Sequence, residues 1–266
     1  MNHRRIRART SIKAAIGRLT AMSGIRPRRT VWVSGVPRSG TNMIMEMFDR
    51  SRNAYVLHEA DPRAFENFHL RPDATLESVW RHAGHDTLVI KALLDAHRLP
   101  DLLDLFPNSR LIWAYRDPWA TVRSNRRKWP NGRNQLEAVV DDPESAGFRG
   151  LGMSRETLEI LRQVHRPDCN ATEAMALFWW YRHRLFFTKG LVHDDRVILL
   201  NYERLASDPE RVGSQLCRTI GLTYAPRMVR HISDPSASEQ PSEPVANDIR
   251  QLCQEMWQSL DAKAHF

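Results

Sequence analysis

The stretch from Thr30 to Asp49, TVWVSGVPRSGTNMIMEMFD, leaves a chain few ways to fold, because it joins a short apolar strand to an apolar helix through a turn bounded by glycines. Val31, Trp32 and Val33 have the β-branched and aromatic character of a buried strand, and Met43 to Phe48 are apolar enough for a helix laid on a sheet. Gly35 and Gly40 let the backbone between them turn sharply, so the amides of Arg38 to Asn42 are expected to converge at the positive end of the helix. A phosphate or sulfate group fits such a place. Ser39 and Thr41 add hydroxyls, and Arg38 is the one cation inside the turn.

The turn departs from the loop that cradles nucleoside triphosphates. That loop reads GxxxxGK[ST], its Lys reaching the terminal phosphates and its hydroxyl holding Mg²⁺. Here Gly40 is followed by Thr41 and Asn42, so both groups are missing. The expectation is an anion site built from amides, hydroxyls and one guanidinium, with no tightly held metal.

Charge bears on which anions the chain meets. The net charge is +8, yet nine of the Lys and Arg residues fall within residues 1–30, which contain no acid, and the remainder is close to neutral. Residues 1–29 therefore read as a basic arm with a short helical stripe of Ile12, Ile16 and Leu19. Its expected behaviour is that of a solvated arm packed on the domain, with peripheral contact to an anionic surface open to it and nucleic acid a weaker fit. Residues 30–266 read as a single domain. No window is apolar enough to span a membrane, and the N-terminus lacks an apolar signal core. Cys169, Cys217 and Cys253 are scattered without a metal-binding spacing, which fits a reducing compartment and a cytoplasmic location. His82 and His85 lack a third ligand at a useful spacing and read as a solvated helix end. The sequon at Asn170 reads as a helix cap.

Beyond the turn, strands are expected at Ala54–Leu57, Thr87–Lys91, Arg110–Tyr115 and Arg196–Tyr202. Helices are expected at 75–82 and 99–105, after Asp117-Pro118, at 172–188, after Asp208-Pro209 and at 245–261. Residues 235–244 read as a loop. Residues 129–170 are rich in breakers, with one helix expected near 154–164, and read as a cap inserted over an acceptor site. Strands separated by helices give an α/β fold with a central, mostly parallel five-stranded sheet flanked by helices. Ligands of such sheets lie beyond the carboxyl ends of the strands. That rule gathers Gly35–Thr41, Glu59, Lys91, Arg116 and Tyr202 on one rim.

Arg116 ends the fourth strand and Ser124 lies two turns into the next helix, in RDPWATVRSNRRK, making a second anion site backed by Arg126, Arg127 and Lys128. Two anion sites on one sheet edge call for a ligand with two separated phosphates. With these residues in view, the chain resembles the sulfotransferases that use 3′-phosphoadenosine 5′-phosphosulfate (PAPS) and release 3′-phosphoadenosine 5′-phosphate (PAP). PRSGT at 37–41 looks like their 5′-phosphosulfate loop, RDPxxxxxS at 116–124 like their 3′-phosphate motif, and NYERLASDPERV at 201–212 like the segment that follows. The spacing is closest to tyrosylprotein sulfotransferases. The resemblance implies a P-loop-like three-layer fold, Glu59 as general base, and Arg38 and Lys91 as catalytic cations. It also implies a donor held by Arg38, Ser39, Gly40, Thr41, Asn42, Arg116, Ser124, Lys128 and Tyr202, without a metal.

Two departures stand out. Asn42 replaces a common second Thr, and Lys128, with Arg127 before it, stands where the tyrosylprotein enzymes carry Arg. The C-terminal Ser and Lys that close over the nucleotide in relatives are not assigned among Ser233, Ser236, Ser238 and Lys263. His58 is the rival of Glu59. The acceptor is expected to be a hydroxyl, with carbohydrate, peptide tyrosine, lipid headgroup and small molecule all open. Two other classes compete: a P-loop kinase or phosphotransferase, which needs the missing Lys and Mg²⁺ ligand, and a basic nucleic-acid or lipid-binding module with an inert loop.

Overall fold

A computed structural model describes residues 26–129, 132–233 and 243–266. The stripe of Ile12, Ile16 and Leu19, the residues of the arm up to 25, and Ser236 and Ser238 lie outside them. The order of elements is β1 (Arg29–Gly35), α1 (Thr41–Asp49), β2 (Ala54–Leu57), β3 (Phe65–Glu66), β4 (His69–Leu70), α2 (Asp73–Arg81), β5 (Thr87–Lys91), α3 (Leu99–Leu105), β6 (Ser109–Tyr115), α4 (Pro118–Lys128) and α5 (Gly132–Asp141). There follow α6 (Arg155–Val164), α7 (Ala171–Thr188), β7 (Val197–Asn201), α8 (Tyr202–Ser207), α9 (Pro209–Ile220) and α10 (Asn247–Asp261).

Strand alternation divides the core into two faces. Val31 and Val33 of β1, Val89 of β5, Ile112 and Ala114 of β6, and Ile198 and Leu200 of β7 pack on one side with α1 and α9. Trp32, Leu88, Ile90, Leu111, Trp113, Tyr115 and Leu199 point the other way, into a second cluster that also holds the buried side of α7. Burial on both faces is why these strands read as continuous apolar runs. The sheet is parallel throughout, in the order β2-β5-β1-β6-β7. Its central strand is β1. From there the chain first runs to one edge and then crosses back over β1 to build the other half, so the carboxyl end of β1 is where ligands of such sheets bind.

The aromatic helix α7 is buried nearly all round, as an apolar helix inside a core must be. Asn170 caps it, its side chain accepting from the Thr172 and Glu173 amides, while Glu173 reaches back to the Asn170 amide. Asp117 caps α4 by accepting from the Ala120 amide at 2.7 Å.

Between residues 129 and 170 the expected helix is present as α6, but a second, α5, was not foreseen. Its bounds are the breakers themselves, with Gly132 at one end and Asp141 before Asp142-Pro143 at the other. Buried Leu136 and Val139, three apart, form its apolar face. Two further short pieces carry too little periodicity to be read from sequence. One is the hairpin β3–β4, pairing Phe65 with Leu70 and Glu66 with His69; the other is α8. The fifth strand accordingly stops at Asn201, and Tyr202 opens α8.

Candidate active site

The turn after β1 is fixed by two close approaches. A Cβ at Gly35, whose φ is +141°, would lie 2.2 Å from the Ala114 carbonyl oxygen of β6. A Cβ at Gly40, φ +92°, would lie 2.3 Å from the Tyr202 ring. Both positions need glycine for space and for backbone conformation. Between them Arg38 also has a positive φ of 74°, a strained conformation for a side-chain-bearing residue of the kind that clusters at functional sites.

No side chain caps α1. The first-turn amides of any helix lack intrahelical partners, and here Gly40, Thr41 and Asn42 line a cavity of about 580 Å³. The Ser39 amide differs from the expectation of convergence. It closes the turn on the Val36 carbonyl at 3.1 Å. The Ser39 hydroxyl is buried and without a hydrogen-bond partner among the described residues.

Arg38 Nε donates to Ser124 Oγ at 2.9 Å. The two anion motifs, far apart in sequence, are thus hydrogen-bonded to each other. Burial, followed by the nearby Arg116 and Arg127, lowers the Arg38 guanidinium from its ordinary value. Uncompensated positive charge at this spot favours an anion. Arg116 stacks over the Tyr202 ring at 4.2 Å, and its buried Nε, ion-paired with Glu203 Oε1 at 3.8 Å, has no hydrogen-bond partner among the described residues. Tyr202 is therefore held between Gly40 and Arg116. Lys128 lines the cavity with its amine 4.8 Å from the Trp129 ring, whereas Arg126 is bonded to Thr172 and Glu243.

Glu59, two residues beyond β2, and Lys91, at the end of the neighbouring β5, meet at the cavity wall. Lys91 is only 5% exposed, and its Nζ donates to Glu59 Oε2 at 2.5 Å and to Asn42 Oδ1 at 2.8 Å. Asn42, which breaks the resemblance, is a partner of the lysine. His58, the rival base, pairs with Asp49 at 2.8 Å and does not line the cavity.

All the predicted residues on the rim come together, although Ser39 and Ser124 stand behind the cavity surface. Ser233 and Lys263 are not on it. Several neighbours were not foreseen. Asn125 is fully buried and donates from Nδ2 to the Pro37 carbonyl at 3.2 Å, tying α4 to the turn; its position next to Ser124 was the available signal. Phe68, Leu93, Leu94, Trp129, Phe148 and Arg149 complete the wall; the last three lie in the segment read as a cap, but no pattern singles them out within it.

Ser39 Oγ and Arg116 Nε, without hydrogen-bond partners among the described residues, and an uncapped helix start are what an anionic ligand with separated charges would satisfy. Among the described residues there is no group of three or more His, Cys, Asp or Glu arranged to hold a metal, and no helix long and apolar enough to cross a membrane.

A family profile described as "Sulfotransferase family" matches residues 72–226, more than half of the chain. The match includes Lys91, Arg116, Ser124, Lys128 and Tyr202; the glycine-bounded turn and Glu59 precede it. No curated protein matches the sequence significantly. Among solved structures, the sulfotransferase domain of the Synechococcus PCC 7002 olefin synthase is 16% identical, with a TM-score of 0.54, over 87% of this chain and 95% of that one. The sulfotransferase domain from the curacin biosynthetic pathway is 14% identical, with a TM-score of 0.55, over 88% and 99%. Sulfotransferase STF9 from Mycobacterium avium is 16% identical, with a TM-score of 0.50, over 92% and 79%. At such identities these similarities speak for the fold.

Proposed function

The chain belongs to the sulfotransferase family, and from that premise we propose that it transfers the sulfuryl group of PAPS to an acceptor hydroxyl, with Glu59 as general base. The carrying observation is the Glu59–Lys91–Asn42 chain of contacts, which joins a carboxylate to the uncapped start of α1 across one cavity wall.

PAPS supplies an activated sulfuryl group on a phosphate leaving group. The 5′ end suits the amides of Gly40 to Asn42, the Ser39 hydroxyl and Arg38; the 3′-phosphate suits Arg116, Ser124 and Lys128. Tyr202 keeps Arg116 in place by stacking. Glu59 takes the acceptor proton, a role worth about 10²–10⁴-fold. Lys91 and Arg38 stabilise the charge that grows on the oxygens in transfer, each such donor being worth roughly 3–4 kcal/mol. These two cations take the place of the Lys and Mg²⁺ of a triphosphate loop, so transfer should persist in EDTA. The spacing likeness to tyrosylprotein enzymes concerns donor handling and the base. Residues 129–170, through Trp129, Phe148 and Arg149, act as the cap on the acceptor side.

The test is Glu59→Gln assayed with labelled PAPS. Turnover should fall by about 10²–10⁴-fold, while PAP binding by calorimetry stays within about twofold. Full activity in the variant would remove Glu59 from the mechanism, and turnover with ATP but not PAPS would overturn the donor assignment.

A further inference from the structure

The cavity has a second positive region that the donor does not use. Arg149 lines it, with Nε donating to Gln135 Oε1 at 3.0 Å and the guanidinium 4.6 Å from the Phe148 ring. Behind Phe148 lies Arg182, from the buried helix α7, 2% exposed, with Nη1 donating to the Phe148 carbonyl at 2.6 Å. Its Nε and Nη2 are buried with no hydrogen-bond partner among the described residues. Phe148 is thus flanked by two guanidiniums, and among the described residues no carboxylate pairs with either.

Burial lowers Arg149 and, together with the nearby Arg149 guanidinium, takes Arg182 down to about 10. Arg38, by contrast, feels Arg116 and Arg127. The two cation groups come from different parts of the chain. The first belongs to the motifs around Arg38 and Arg116; the second pairs Arg149 of the 129–170 segment with Arg182 of α7. A guanidinium held in a half-buried wall without a counter-charge favours an anion strongly, because charge-assisted bonds strengthen as water is excluded.

The rest of this wall is apolar. Leu93 and Leu94 follow Lys91, Trp129 and Phe148 come from the cap, and Phe68 stands at the tip of the β3–β4 hairpin with a φ of +68°, 59% exposed. Pockets of this volume, apolar with a few placed polar groups, are of small-molecule size.

Resting on the sulfotransferase reading above, we propose that the acceptor is a small amphipathic hydroxy acid. Its hydroxyl lies at Glu59, its apolar body lies against Phe68, Leu93, Trp129 and Phe148, and its carboxylate lies on Arg149. Arg182 is a positioning residue that holds the Phe148–Arg149 segment and adds to its positive potential.

The experiment compares two acids, hydroxyphenylacetate and ω-hydroxydodecanoate, with their methyl esters. Binding to the full-length protein saturated with PAP is measured by calorimetry. At least one acid should bind about tenfold or more tighter than its ester, the order expected of a charge-assisted bond. Arg149→Gln should bring that acid to its ester's affinity and Arg149→Lys should keep part of the preference, with PAP affinity the same in all three proteins. Esters binding as well as acids, an acid preference that survives Arg149→Gln, or no binding of either acid would overturn the proposal. If a variant is poorly folded, the acid-to-ester ratio of the wild type still decides. Failure of the donor reading looks different: PAP does not bind and PAPS is not consumed with any acceptor, whatever the acid preference measured without nucleotide.

Discussion

Replacing Gly40 by Ala tests the central turn, because two separable costs fall on one atom. The first is conformational. With φ at +92° and ψ at +3°, Gly40 occupies a left-handed region that costs an L side chain about 1–2 kcal/mol. The second is steric. The new Cβ would sit 2.3 Å from Tyr202 Cδ2 and 3.1 Å from Cε2, and forcing a methyl into such packing costs about 1–3 kcal/mol. Together the change should destabilise by about 2–5 kcal/mol, measured by urea unfolding of wild type and variant. Displacing the ring also unseats Arg116, 4.2 Å above it, so PAP affinity should fall. Tyr202→Ala in the Gly40→Ala background removes the steric part and leaves the conformational part, so the two changes should couple by about 1–3 kcal/mol in a double-mutant cycle. Strict additivity, or a Gly40→Ala protein as stable as wild type, would refute the account of the turn.

Two further outcomes follow from buried groups. Asn125→Ala removes the Nδ2 donor to the Pro37 carbonyl and should cost about 1–3 kcal/mol in the same unfolding assay, with weaker PAP binding because the turn loses its tie to α4. His183 is fully buried, its Nδ1 accepting from Trp113 Nε1 at 3.2 Å, and burial drives its imidazole down to about 3. The unfolded chain, with an ordinary imidazole near 6.5, then binds about one proton more than the native state between these values, so His183 lowers stability as pH falls through that window. A His183→Gln protein should show a shallower loss of stability from pH ~6.5 downward; an unchanged slope would show that His183 does not titrate on unfolding.

Much of the architecture was legible because it rests on local rules. The β1 strand, the glycine-bounded turn and α1 follow from apolar period and backbone freedom, and the caps at Asp117, Asn170 and Asp208 follow from side chains that bond amides three residues on. The parallel five-stranded sheet follows from strands alternating with helices, and the rim residues follow from being first beyond each strand. What lacked a periodic signal was missed. The β3–β4 hairpin pairs only two residues a side, and α5 lay between Gly132 and Pro143, which read as interruptions although they were its ends.

By itself, the sequence determined the fold class and which residues gather on the rim of the sheet, since each of those residues is placed by its own strand or turn. Only the tertiary structure decided how they act on one another. Arg38 meets Ser124 across 86 positions, Tyr202 wedges between Gly40 and Arg116, and Asn42 serves Lys91. The individual residues of the remaining cavity wall belong to that second kind. Phe68, Phe148 and Arg149 come from segments whose positions no local period encodes, and Arg182 is buried behind Phe148 with no carboxylate partner among the described residues.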